Sequence, residues 1–226
     1  MARVPYVRKE DLPENERHLY ERMASERGTG NIWRAIANHP KICDAMVSVA
    51  GALRNDTTFE RRYRELAVLM VGLVTKSDYE FDHHWNSALQ AGVRREQLQD
   101  LAQFETSPHF TDQERAVLRF SKEATENGVV SDTTWNTLRG FFAVRQAMEV
   151  VLTVAWYNCV VRILLPLQIE HELASSAIES ENTAEAVMEL EQPMISVPGW
   201  ARVSKLPSST SRQHVSTSHG ARRDLL

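Results

Sequence analysis

The chain has 226 residues, 26 basic and 30 acidic side chains, a formal charge of −4 and 42% hydrophobic residues. That is enough chain to bury the core of one domain. The mild acidity argues against a nucleic-acid-binding body, since the last 26 residues hold five of the basic groups and one acid, and two distant cysteines, Cys43 and Cys159, argue against a disulfide framework or a zinc site.

Residues 1–9 read as an extended arm. The opening MARVPYVRKEDLPENE has no apolar core of signal-peptide length, so the expected compartment is the cytosol. Glu14–Arg27 is charged with sparse apolar positions and predicts a peripheral helix ending at Gly28-Thr29-Gly30. Asn31 is placed to cap a short helix carrying Ile32, Trp33 and Ile36. Trp33 is a candidate pocket wall, although a Trp at this spacing is more often plain core. Pro40 suits the start of a helix burying Ile42, Met46, Val49 and Leu53.

Phe59–Lys76 predicts an almost wholly apolar helix with Glu65 near its entrance and Arg61 and Arg62 one turn back. A second helix starts near Ser77. At about 100° per residue, Phe81, Trp85, Ala88 and Leu89 share its apolar face, while Asp82, His83, Asn86 and Gln90 take the other. Ser77, Glu80 and His84 form a stripe along the edge of the apolar face, so His84 is expected to border the core or a cavity and His83 to face solvent. Glu80 and His84 are one turn apart and their side chains can meet. A carboxylate beside an imidazole in a poorly hydrated place suits proton transfer, yet the same spacing also makes an ordinary surface pair.

Val93–Phe104 predicts a short amphipathic helix. Thr111 with Glu114 signals a capping box opening a helix that ends at Asn127-Gly128, and Ser131 caps the next, running toward Phe141. Ala143–Leu165 is strongly apolar. Glu149, Asn158 and Arg162 interrupt it, so a buried central helix or an oligomer interface is expected rather than a membrane span. Arg162 with Asn158 is a candidate substrate-carboxylate site, or Arg162 answers a buried acid such as Glu149 or Glu65. Tyr157 is a candidate donor to a substrate oxygen, or a core tyrosine with a satisfied hydroxyl. Glu170–Leu190 is helix-compatible, and beyond Gln192 a Ser/Thr-rich basic tail predicts disorder. The expectation is one helical domain over residues 1–190 and a disordered tail over 191–226.

Glu65, then eleven residues, Ser77, two residues, Glu80, three residues and His84, followed by ALQAG, resembles the carboxymuconolactone decarboxylase/AhpD-like family. In its peroxidase branch the positions of Ser77 and Glu80 are the cysteines of a CxxC motif, and both are missing here. YEFDHH resembles the Tyr-Glu-Trp-x-x-His version of the Cys-less branch, with Phe81 in place of Trp. NIWRAIANHP and the Thr111–Glu172 segment resemble the family's flanking parts. The resemblance implies an all-α, AhpD-like fold of about eight or nine helices, assembled as a dimer, trimer or hexamer. It also implies a small cavity lined by the Glu65, Ser77, Glu80 and His84 positions.

On this footing the expected function is a cofactor-independent acid–base enzyme, a decarboxylase-type lyase or an isomerase. Its substrate would be a small oxygenated organic acid, lactone or polyketide-like secondary metabolite. His84 moves the proton, and Glu80 or Glu65 orients it. Ser77, Trp33, Phe81, Tyr157, Asn158 and Arg162 are candidate substrate contacts. No cofactor, nucleic-acid or membrane partner is expected. Two carboxylates and one histidine can hold a metal, but His83 should face away and no metal is expected. A non-catalytic helical oligomer is the alternative from another class, and a thiol peroxidase lacks its cysteine pair. His83→Ala is expected to do little.

Overall fold

A computed structural model describes residues 1–172, and among these it contains nine α-helices, three short 3-10 turns and no strand. The helices are α1 (Arg17–Arg27), α2 (Asn31–Ile36), α3 (Pro40–Asn55), α4 (Arg61–Thr75), α5 (Asp78–Gln90), α6 (Arg95–Gln99), α7 (Asp112–Asn127), α8 (Asp132–Phe141) and α9 (Val144–Leu167).

α4 is the centre, packed against α5, α7 and α9. Its residues from Tyr63 to Gly72 are all buried. Leu66, Leu69 and Met70 face Phe81, Trp85 and Leu118 on one side. Ala67 and Val71 face Val117, Phe120, Val150 and Val154 on the other. Each fully buried Leu or Val contributes about 1.5–3 kcal/mol, which is what lets α4 carry Arg64 and Glu65 into the interior, where charges must be paired.

The expected caps form. Thr111 and Glu114 make a reciprocal capping box on α7, and the Ser131 side chain accepts from Thr134 N at the start of α8. At α2 the N-cap is Gly30, with Asn31 the first helical residue. The Val93–Phe104 segment divides into α6 and a 3-10 turn, Leu101–Gln103.

Two burial expectations are corrected. In α3, Cys43 and Val47 are buried against α1, whereas Ile42 is 52% and Val49 47% exposed. The apolar spacing is helical, but the buried arc is rotated so that Met46, Ala50 and Leu53 line a cavity instead. Cys43 is core, with burial pushing its thiol up to about 11, whereas Cys159 is exposed.

α9 is long and apolar enough to cross a membrane by length and composition, yet it packs on α4, α7, α8 and α3. Its outer side leaves Val144, Met148 and Leu152 exposed at i, i+4, i+8 spacing. After α9 the chain turns at Gln168, which has φ 53°, and Glu170–Glu172 is not helical. The rest of the expected Glu170–Leu190 helix and the basic tail lie outside the described residues.

Candidate active site

α4 and α5 form a helical hairpin joined by Lys76 and Ser77. Lys76 ends α4 in the left-handed region at φ 57°, and Ser77 Oγ accepts from Glu80 N at 3.5 Å to begin α5. Gly72 lets the helices approach: a Cβ there would lie 3.3 Å from Phe81 N and 3.5 Å from Glu80 Cβ.

That close packing brings Glu65 from α4 against His84 from α5. His84 Nδ1 donates to Glu65 Oε2 at 2.7 Å, and His84 Nε2 lies 3.5 Å from Glu80 Oε2. All three side chains are largely buried, with 12% of His84, 4% of Glu65 and 6% of Glu80 exposed. The Glu65 bond fixes the hydrogen on Nδ1 and leaves the Nε2 lone pair toward Glu80.

The two carboxyls are driven apart. Burial works against the Glu65 carboxylate, but the His84 hydrogen bond and charge, together with Arg64, outweigh it and hold its pKa below the ordinary range. Arg61 and Arg64 approach the other Glu65 oxygen at 3.7 and 3.8 Å. Burial raises the pKa of Glu80; His84 and His83 oppose that rise, and the Glu65 charge adds to it. One carboxyl held below the ordinary range and one pushed above it flank a single imidazole, the arrangement that separates acid and base roles.

The imidazole opens on a cavity of about 330 Å³, to which Glu65, Glu80, Tyr157, Trp33 and Trp156 also contribute. The Tyr157 ring stands edge-on to His84 at 5.0 Å. Burial, then the nearby Glu80 and Glu65 charges, raise its pKa, so it remains a phenol able to donate.

Several solved structures share this arrangement of helices. The debrominase Bmp8, in a complex with 2,3,4-tribromopyrrole, has a TM-score of 0.66 at 17% identity, covering 78% of this chain and 95% of its own. An uncharacterized peroxidase-related protein from Ralstonia eutropha JMP134, described as having an alkylhydroperoxidase AhpD core, has a TM-score of 0.64 at 17% identity, with 76% and 92% covered. A protein of unknown function from Agrobacterium tumefaciens, whose description suggests AhpD-type antioxidant defence, has a TM-score of 0.57 at 19% identity, with 61% and 95% covered. Identities this low fix the fold alone, which is AhpD-like. No curated protein sequence matches the chain. Residues 40–123 match the profile of the carboxymuconolactone decarboxylase family.

That segment of the chain is similar to the carboxymuconolactone decarboxylase family.

The matched segment runs from α3 into α7 and contains Glu65, Glu80 and His84. Of the candidate residues, Glu65, Glu80, His84, Trp33 and Tyr157 meet at the cavity. Four do not line it. Ser77 is fully buried as the cap of α5. Phe81 packs in the core beside Trp85. Asn158 donates to Thr125 Oγ1 at 2.9 Å and to Val154 O at 3.0 Å. Arg162 is exposed and donates to Asn158 Oδ1 at 2.8 Å, and it answers neither buried acid. Glu149 instead accepts from Phe59 N at 2.8 Å and from Arg145 Nε at 3.2 Å.

His83 has a partner that the sequence does not show. It is exposed, as expected, with 41% of its side chain accessible, and it also borders the cavity, stacked on Tyr79 at 4.1 Å between centroids. Its Nε2 lies 2.8 Å from Glu172 Oε2, and Tyr79 Oη donates to Glu172 Oε1 at 2.7 Å. Burial opposes the charge on His83, but the Glu172 contact outweighs it and its pKa is raised. Burial likewise opposes the Glu172 carboxylate, and bonds from His83, Tyr79 and Asn31 N hold it down to about 2. Sequence spacing could not place residue 172 against residue 83.

Arg27, Arg54 and Arg64 also border the cavity and were not singled out by sequence. Arg27 and Arg54 sit in the last turns of α1 and α3, where a cation is favoured simply by the helix end. Only the packing of those ends shows that they share a cavity.

Proposed function

We propose that this protein is a cofactor-independent acid–base enzyme, a lyase or isomerase acting on a small oxygenated organic molecule. The observation that carries the reading is the buried Glu65–His84–Glu80 line opening on a cavity. His84 Nε2 takes a proton from carbon, and ionised Glu65 stabilises the resulting imidazolium, so that the proton can return at another carbon. In a decarboxylation the C–C bond to the leaving carboxylate breaks, its electron pair enters an enolate, CO₂ departs, and the Glu80 carboxyl, entering the reaction in its acid form, delivers its proton to carbon. The Tyr157 hydroxyl donates to the enolate oxygen as charge develops.

Thiol peroxidase chemistry needs an accessible thiolate with a resolving partner. Cys43 is a buried, high-pKa thiol and Cys159 lies on the exposed side of α9. Neither lines the cavity. The exposed apolar side of α9 supports assembly with further copies of the chain, and its packed inner side supports a cytosolic protein rather than a membrane-spanning one.

The test is NMR-monitored incubation of small β-keto acids, γ-lactone acids and enolisable ketones in D₂O. The expected result is enzyme-dependent CO₂ release or carbon deuteration in one substrate class, and background turnover of peroxide with a dithiol donor. Peroxide turnover with no carbon-acid activity would refute the proposal.

A further inference from the structure

The cavity that Glu65, Glu80 and His84 border is also lined by Arg27, Arg54 and Arg64, so two carboxyls and an imidazole share it with three arginines. Tyr157 lines the same cavity, its ring edge-on to His84.

The three arginines are not equivalent. Arg64 is committed to the fold: its Nη1 donates to the carbonyls of Leu53 and Arg54 at 3.2 and 2.8 Å, closing the end of α3, and its Nε faces Glu65. Arg27 is not. Its Nε is buried with no hydrogen-bond partner among the described residues. Its neighbour Glu26 pairs with Arg22 at 2.8 Å. The Arg27 guanidinium rests on Gly51, where a Cβ would meet Nη2 at 2.9 Å, so the missing side chain on α3 makes the room that Arg27 occupies. Burial, then the neighbouring Arg54 charge, lower the pKa of Arg27, and the Glu26 and Tyr157 charges oppose that fall. A buried donor without an acceptor is costly to maintain. A planar carboxylate matches the guanidinium fork and would satisfy it with parallel N–H bonds.

We propose that Arg27 and Arg54 form a carboxylate-binding subsite, so that the substrate is an organic acid held by its anionic end with its reacting carbon turned toward His84. This rests on the proton-transfer reading and narrows it. A carboxylate clamped by arginines is a handle and not the group lost, because an ion-paired carboxylate resists giving up its electron pair to carbon. A substrate that is decarboxylated here therefore carries a second carboxylate near His84, whereas an isomerised substrate needs only the clamped one. Trp33 and Trp156 also line the cavity and add apolar surface, which suits a compact ring or short chain as the body of that acid.

The test uses benzoate and benzamide, probes of one shape differing in charge, titrated by calorimetry into the full chain and into His84→Ala, which removes the proton carrier and leaves the arginines. Saturable benzoate binding in both proteins is expected, with benzamide at least tenfold weaker. Arg27→Gln and Arg54→Gln should each weaken benzoate about tenfold and leave benzamide unchanged. Gly51→Ala, which keeps every charge but displaces Arg27, should weaken benzoate alone. If Arg27→Gln does not fold, Arg27→Lys replaces it and should also bind benzoate more weakly. Benzoate binding no tighter than benzamide, no saturable benzoate binding, or indifference to the arginine substitutions would overturn the subsite. If benzoate selectivity fails while His84→Ala still abolishes turnover, the subsite alone is wrong. If selectivity holds while His84→Ala turns over normally, the proton-transfer reading is wrong and the subsite stands.

Discussion

Glu65 Oε2 and His84 Nδ1 are 2.7 Å apart across the α4–α5 packing, nineteen residues distant in the chain. This bond makes the imidazole directional, with a hydrogen on the Glu65 side and a lone pair on the Glu80 side. Glu65→Gln keeps the shape but replaces the anion with a neutral amide and removes the charge that stabilises imidazolium. Turnover should fall about 10²-fold, and ¹⁵N NMR of His84 should show a lowered share of the Nδ1–H tautomer. Unchanged turnover and tautomer would mean that Glu65 is only a structural partner of Arg61 and Arg64.

Glu80 is buried at a cost. Its folded-state pKa is raised, chiefly by burial, so the folded protein holds this proton at pH values where the unfolded chain has released it. Stability from this group is therefore present at low pH and falls as pH rises through the ordinary carboxylate range toward the raised folded value. Glu80→Gln removes that dependence. It should raise Tm at pH 7 by about 2–4 °C, the shift that roughly 1 kcal/mol makes in a domain of this size, while lowering turnover. The Tm gain should vanish below pH ~4.5, the ordinary glutamate value from which Glu80 is displaced.

The Glu172 clasp has the opposite acid response. Its carboxylate is held down to about 2 from an ordinary 4.5, so its contribution is full above about 4.5 and is lost as pH falls toward 2. His83 is raised from an ordinary 6.5, so its contribution is full below that value and is lost as pH rises through the higher folded-state pKa. The Tm difference between wild type and Glu172→Gln should be largest at about pH 4.5–6.5 and shrink on both sides. A pH-independent difference would show that the clasp is not ionic.

Met148 and Leu152 are 50% and 47% exposed on α9. If copies of the chain pack there, Met148→Glu should reduce the mass measured by light scattering and leave the helical circular dichroism intact. A monomeric wild type, or an unchanged mass, would remove this face from the assembly.

Much of the fold was legible because it is written in local chemistry. The Thr111–Glu114 capping box, the Ser131 cap and the apolar run of α4 depend on residues a few positions apart, and the helices form where these place them. Glu80 with His84 was legible for the same reason. The pairing of Glu65 with His84 required the relative placement of two helices, which the family resemblance supplied and periodicity did not. The placement of Asn158 and Arg162 failed because two polar residues one turn apart can satisfy each other, as they do. The meeting of Arg27 and Arg54 at the cavity and the His83–Glu172 clasp were illegible, since both are made by segments distant in sequence whose local context looks like ordinary helix ends or solvated surface.

The most direct measurement is solvent-deuterium incorporation into carbon, followed by NMR on the substrate class that wild type turns over, for His84→Ala and His83→Ala side by side. The account predicts a loss of about 10²-fold or more for His84→Ala and a much smaller loss for His83→Ala, with both proteins folded. Equal rates in wild type and His84→Ala would contradict it.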